Sequence, residues 1–359
     1  MSVSVLRPAE LTPELMEAWR RFQSADPDLG SAFLTPEWLQ AVERAQGPDS
    51  VKIAVAREGA RVCGFLAVRP GRAVAVAPGA PLSDYQAVIA DPEAEIDLQA
   101  MLSALGVARF DFTHVPASQR AFEGSVRGRH TSYCVDVGAG WPAYTAELRA
   151  RGSNLIRDLG KARRRLERDC GPVEFTAVSD SVEAFERMVE WKREQYRQTG
   201  QTDVLGRPWT RCLLDDLLRT RDERFGGVFS TLHVGGELAA GHFGIYADGV
   251  LSAWFIAHNG AFARHSPGSL LLGELVRHLA EAGGWRELDL GTGDVAFKQR
   301  LSTRGRELTH GFIGRPSAAV AFRGAAYWMR RRAEAAPLGR FSHLPGKAMR
   351  RWDVIRTLG

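Results

Sequence analysis

The chain has 359 residues, 45% of them apolar and 25% charged, with a net charge of +5, the proportions of an ordinary globular protein of one large or two smaller domains. No apolar run reaches the ~20 residues that span a bilayer, and Met1-Ser-Val-Ser-Val lacks a signal peptide's charged start and long apolar core, so a cytoplasmic protein is expected. Cys63, Cys134, Cys170 and Cys212 stand far apart, which argues against a disulfide framework or cysteine metal cluster and for isolated buried thiols.

Residues 1–48 read as helical and loop-like, with Thr35-Pro-Glu-Trp38 carrying the N-cap-then-proline signature of a helix start. Val51 to Arg57 and Val62 to Val68 read as a hairpin joined at Glu58-Gly-Ala60. A short strand at Ala73 to Ala77, a loop at Pro78 to Tyr85, an amphipathic helix at Glu93 to Leu105 and a strand at Val107 to Val115 follow. The middle of the chain predicts helices at Asn154 to Arg168, Ser181 to Gln198 and Trp209 to Thr220. Val228 to Val234 and Leu238 to Ala247 form a second hairpin at Gly235-Gly236, Asp248-Gly249 turns the chain again, and Val250 to Ala257 is the next strand. Ser266 as N-cap and Pro267 as first residue open a helix whose Leu272, Leu275, Val276 and Leu279 follow at i, i+3, i+4, i+7. A strand at Arg286 to Leu290 comes next. Ser317 to Ala336 reads as a last helix, and the tail beyond Pro337 as partly ordered at best.

The second half repeats the plan of the first. Glu58-Gly-Ala-Arg-Val-Cys-Gly64 aligns with Gly235-Gly-Glu-Leu-Ala-Ala-Gly241 at an offset of 177, and Leu105 to Phe112 aligns with Gly283 to Leu290 at 178. Two matches at nearly one offset predict a duplicated domain. The copies differ before their helices. The second has His265-Ser-Pro-Gly-Ser269, where Gly268 lets a ligand approach unpaired N–H groups, a place that attracts phosphate. The first has Pro81-Leu-Ser-Asp-Tyr85 and no such glycine, so one phosphate-binding loop is expected per chain. Charge is uneven too: Arg151 to Arg168 carries +5 and Ser317 to Gly359 carries +7, which together exceed the whole net charge and imply an anionic ligand or surface.

The order of hairpin, strand, glycine-bearing loop, helix and strand resembles the GNAT fold of N-acetyltransferases. The resemblance is nearer to the duplicated branch that includes the Fem-type peptidyl transferases and the CelD-like acetyltransferases of cellulose and exopolysaccharide biosynthesis. It rests on Ser266-Pro-Gly268, Asp289-Leu-Gly-Thr-Gly293 and Lys298, on Phe33-Leu-Thr-Pro-Glu-Trp38, on Ser83-Asp-Tyr85 and on the basic helix Asn154 to Arg168, and covers roughly residues 30–315. It implies an α/β (α+β) fold of tandem GNAT-like domains, each a mixed, mostly antiparallel sheet flanked by helices. Residues 1–140 would form a domain lacking the cofactor loop, 141–316 a domain holding acyl-CoA, and 317–359 a basic helix and tail.

The reaction implied is acyl transfer from acetyl-CoA or another acyl-CoA to an amine, with no metal. Backbone N–H groups at Phe255, Ile256 and Ala257 would polarise the thioester, and Arg264, His265, Ser266, Pro267, Gly268, Ser269 and Leu270 would hold the pyrophosphate. Lys298 would stabilise transition-state charge, and Asp84, in a loop expected to face the cleft between copies, would act as base or orient the amine. Trp38, Tyr85, Arg157, Arg163, Lys192, Tyr196, Trp254 and Asp289 are the expected acceptor contacts, with Asp289 equally suited to shaping the backbone. The expected acceptor is an amino sugar or a nucleotide- or lipid-linked polysaccharide precursor. The alternatives are a Fem-like transferase fed by aminoacyl-tRNA and acting on a cell-wall precursor, and a non-catalytic module binding an anionic ligand. The basic, aromatic tail suits an anionic membrane surface at the inner membrane, a lipid-linked phosphate or a nucleotide. Nucleic acid ranks low, because no reading motif is present.

Overall fold

The computed structural model describes residues 1–293, 296–335 and 344–358. From the N-terminus the elements are β1 (Ser2–Leu6), α1 (Pro13–Ser24), α2 (Pro36–Gln46), β2 (Lys52–Glu58), β3 (Arg61–Val68), β4 (Val74–Ala75), β5 (Val88–Ala90), α3 (Leu98–Ala104), β6 (Arg109–Pro116) and β7 (Val126–Asp136). There follow α4 (Gly140–Ala150), α5 (Leu155–Cys170), β8 (Val173–Thr176), α6 (Val182–Gln198), α7 (Pro208–Arg219), β9 (Phe225–Val234), β10 (Glu237–Ala247) and β11 (Val250–His258). The chain ends with α8 (Pro267–Ala282), β12 (Glu287–Thr292), α9 (Ala296–Leu301), β13 (Arg304–Gly314), α10 (Ala318–Ala335) and α11 (Leu344–Leu358). It divides into two compact units, one of Met1–His130, Arg207–Leu213 and Glu307–Gly359, the other of Thr131–Gly206 and Leu214–Arg306.

In the first unit β1, β2, β3 and β5 form one antiparallel sheet, and β6 pairs with β4 in parallel and with β13 antiparallel. Helix α2 starts as its sequence predicts: the Thr35 hydroxyl accepts from Trp38 N at 3.2 Å, ahead of Pro36. The core gathers Leu66, Val68, Met101, Leu102, Phe110, Phe112 and Phe122. The short strand expected at Ala73 to Ala77 forms as β4, paired with β6, and β5 joins the hairpin of β2 and β3. Within the tail, residues 344–358 form α11, and Arg323 grips Asp353 through two bonds of 2.9 and 2.8 Å. Asp111 on β6 is 6% exposed and draws in Arg109 at 2.7 Å, Arg356 at 2.6 Å and Arg323 at 3.7 Å. A buried carboxylate needs such partners, and these tie both terminal helices to the unit. Arg340, counted among the tail's charges, lies outside the described residues, as do the side chains of Lys347 and Arg350.

In the second unit the strands run in the order β7, β12, β11, β10, β9, β8. The hairpins β9–β10 and β10–β11 are antiparallel, while β11 and β12 are parallel. Helices α4, α5 and α8 bury Tyr144, Leu148, Leu155, Leu272, Leu275, Val276 and Leu279 against Val228, Leu251 and Leu288. Each unit thus shows hairpin, strand, helix and strand in the same order, as a duplicated GNAT-like α/β fold requires. The thiols are less uniform than expected: Cys63 and Cys134 are buried, Cys170 is partly open and Cys212 exposed.

Candidate active site

The parallel strands β11 and β12 pair at only three positions, Val250↔Glu287, Leu251↔Leu288 and Ser252↔Asp289. Beyond Ser252, β11 runs on to His258 without pairing to β12, while its other edge stays bonded to β10 through Ala257↔Gly241 and His258↔Ala240. The strands therefore open as a V, and the backbone on the inner edge of β11 has no sheet partner there among the described residues.

Two lysines mark the arms of the V. Lys192, from α6, donates to Ile256 O on β11 at 3.3 Å and to Gln195 Oε1 at 3.0 Å, and its ammonium lies 5.4 Å from the Tyr196 ring centre. Lys298, from α9, donates to Thr292 O at the end of β12 at 2.9 Å. Burial and then the charge of Lys298 lower the Lys192 ammonium to about 8, so Lys192 gives up its proton more readily than an ordinary lysine.

The loop into α8 lies at the end of β11. Ser266 occupies the N-cap position but adopts a left-handed conformation (φ 51°, ψ 52°), and its side chain caps nothing. This corrects the expected serine cap and leaves the helix start open to an anion. At Gly268 an added Cβ would meet Ile256 Cδ1 at 3.4 Å, ordinary contact, so an alanine fits. His265 is pinned rather than presented. It accepts from Arg264 Nε at 2.9 Å, lies 3.8 Å from both Cys170 Sγ and Asp169 Oδ2, and its side chain is 1% exposed. Phe255, Ala257, Pro267 and Leu270 are also buried, so this segment presents mainly backbone.

Other expected contacts are redirected. Trp38 is 0% and Tyr85 2% exposed, and both are core residues of the first unit. Asp84 is partly exposed and also belongs to that unit. Asp289, 2% exposed, accepts from Ser132 Oγ at 2.7 Å and Gly291 N at 2.8 Å, so it shapes the turn at the end of β12 instead of touching an acceptor. Arg163 spends its guanidinium on Glu167 at 2.9 Å, Glu274 at 2.6 Å and Val173 O at 2.7 Å, fastening α5 to α8 and β8; that replaces the expected grip on acceptor phosphates. Arg157 is exposed on α5, while Trp254 is partly exposed against Phe255 and Phe243. An open cleft of about 440 Å³ adjoins the start of α5 and α9, lined by Arg151, Ser153, Asn154, Asp158, Gln299 and Arg300.

A group missed in the sequence underlies β12. Glu287 (4% exposed), Asp289 and Cys134 come within metal-ligand distance of one another, but the Arg306 guanidinium stands where a cation would. It lies 3.0 Å from Glu287, 3.4 Å from Asp289 and 3.6 Å from Cys134 Sγ. Burial, first of all, pushes the Cys134 thiol well above its ordinary range, which disfavours a thiolate ligand. Acids at Glu287 and Asp289, two apart on one strand and so on one face, were the available signal that a buried cation had to be near.

Residues 153–299 match the family model described as acetyltransferase (GNAT) domain. No curated protein matches the sequence. Among solved structures, the chain is similar to FemX at 9% identity and a TM-score of 0.53, over 86% of this chain and 97% of that one. It is also similar to the C-terminal domain of a putative lysylphosphatidylglycerol synthetase from Agrobacterium fabrum, at 14% identity and a TM-score of 0.51, over 85% and 94%. At these identities the likeness is one of fold.

Proposed function

We propose, from a chain whose residues 153–299 match the acetyltransferase (GNAT) domain model, that the protein transfers an acyl group from acyl-CoA, acetyl-CoA in the simplest case, to the amine of an amino sugar or a polysaccharide precursor. The observation that carries this reading is the V between β11 and β12, with a lysine on each arm and an uncapped helix start at Ser266. The pyrophosphate would lie on the loop Arg264 to Leu270, and the thioester along the inner edge of β11 at Phe255 to Ala257. Backbone N–H groups there and the Lys298 ammonium would stabilise the oxyanion as the amine attacks and the coenzyme A thiolate leaves. Lys192, the more readily deprotonated cation, would take the amine's proton. The cleft beside α9 would receive the acceptor.

The test is release of coenzyme A thiol with a panel of amines including glucosamine and a nucleotide-linked amino sugar. The reading predicts acceptor-dependent release whose rate rises with pH through about 8 and loses that limb in Lys192→Arg. Acceptor-independent release alone, or none with any amine, would contradict it. A second reading, aminoacyl transfer, draws on the fold likeness to FemX and the synthetase domain. It predicts transfer from aminoacyl-tRNA and none from acetyl-CoA.

A further inference from the structure

Helix α10 has two unlike faces. Arg323 and Tyr327 turn inward, 7% and 5% exposed, with Tyr327 stacked 5.7 Å from Phe312. On the opposite side Ala318, Ala321, Phe322, Ala325, Trp328 and Met329 follow at helical spacing, and all are exposed. Phe322 is 74%, Trp328 60% and Met329 55% exposed. On α11, Ala348, Trp352 and Ile355 repeat the pattern at i, i+4, i+7, with Trp352 64% and Ile355 49% exposed. Of nine large apolar residues exposed among the described residues, five lie on these two helices. The apolar face is therefore a local feature and not the scatter of single residues that any surface shows.

The charges around it have one sign. Asp353 is taken by Arg323 and Glu334 by Arg330. Among the described residues, exposed Arg331, Arg332 and Arg351 carry no ion pair, and the Arg332 guanidinium lies 5.2 Å from the Trp328 ring centre. Neither helix is long and apolar enough to cross a bilayer. An apolar stripe with tryptophan and a basic margin matches a helix lying in the plane of a membrane interface. A second copy of the chain is a poor occupant, because two faces of the same positive sign would be brought together.

We propose that α10 and α11 dock the protein on an anionic lipid surface, with Phe322, Trp328, Met329, Trp352 and Ile355 entering the interface and Arg331, Arg332 and Arg351 meeting lipid phosphates. Docking of this kind is reversible and salt-sensitive.

The test is co-sedimentation of the full chain with vesicles of phosphatidylcholine and phosphatidylglycerol at seven to three, against pure phosphatidylcholine. The expected result is binding to the mixed vesicles only, weakened at least tenfold by half-molar salt. Phe322→Ser with Trp328→Ser should weaken it at least tenfold, and so should Arg331→Gln with Arg332→Gln. These side chains are exposed, so thermal melting of both variants should match the parent. Equal binding by parent and variants, or no binding by the parent, would overturn the proposal. So would a dimer in solution that Phe322→Ser dissociates, since the face would then belong to a second copy.

Discussion

The two copies use equivalent positions for different ends. Asp111 on β6 and Asp289 on β12 are related by the repeat offset, and each is a buried carboxylate matched to arginine. In the second copy Asp289 holds the Gly291 turn, where Gly291 has a φ of 73° and β12 ends beside Lys298. In the first copy Asp111 instead anchors the terminal helices through Arg323 and Arg356. The helix starts diverge in the same way. Asp97 caps α3 by accepting from Ala100 N at 3.0 Å, which places a carboxylate where an anion would bind. Ser266 withdraws its side chain and leaves α8 open. One scaffold occurs twice; a cap and a few arginines set the two copies apart.

The largest effect should come from breaking the buried ion cluster of the second copy. Arg306→Ala removes the buried cation between Glu287 and Asp289, leaving Arg304 on Glu287, and should cost about 3–5 kcal/mol, measured by denaturant unfolding. A loss below about 1 kcal/mol would mean that the cluster is not what holds β12. Next comes Lys298→Ala, expected to lower turnover roughly 100- to 1,000-fold while acyl-CoA affinity changes little. Unchanged turnover would remove Lys298 from the chemistry.

Each unit also holds a histidine that its surroundings keep neutral, and both bear on acid stability. Burial lowers His242 in the second unit to about 4 and, together with His130 and His310, lowers His114 in the first to about 3. In the unfolded chain these imidazoles titrate near 6.5 and bind protons first as pH falls. Stability should therefore be full above about pH 6.5 and decline below it, with His242→Gln flattening the decline down to about pH 4 in thermal melts. An unaltered slope would assign the acid loss elsewhere. The smallest effect is expected from Asp97→Ala, about 1 kcal/mol from a lost cap, without creating a second phosphate site in the first copy.

Much of this comparison was legible in the sequence. The hairpins at Gly59 and Gly235-Gly236, the helix start at Thr35-Pro36 and the repeat offset all rest on local signals, and the structure places β2, β3, β9, β10 and β11 within a few residues of where they were read. What stayed hidden had no local pattern. Strand β1 is a mostly exposed edge, and β7 carries Arg127, Arg129, His130, Thr131 and Ser132 in succession with little buried before Cys134. Helix α11 is secured through Asp353 and Arg356, whose partners Arg323 and Asp111 lie far back along the chain. In the site, Ser266-Pro-Gly268 and Lys298 could be named from the motif, but the spent guanidinium of Arg163 and the burial of Trp38 and Asp289 arise only from tertiary packing.

The central claim is that one copy, through the open start of α8, binds acyl-CoA. Calorimetric titration of acetyl-CoA into the full chain and into Gly268→Trp tests it most directly. The account predicts one site per chain in the parent and at least a 100-fold weaker interaction in the variant, whose circular dichroism should be unchanged. Equal binding by a folded Gly268→Trp, or no heat from the parent at millimolar ligand, would contradict it.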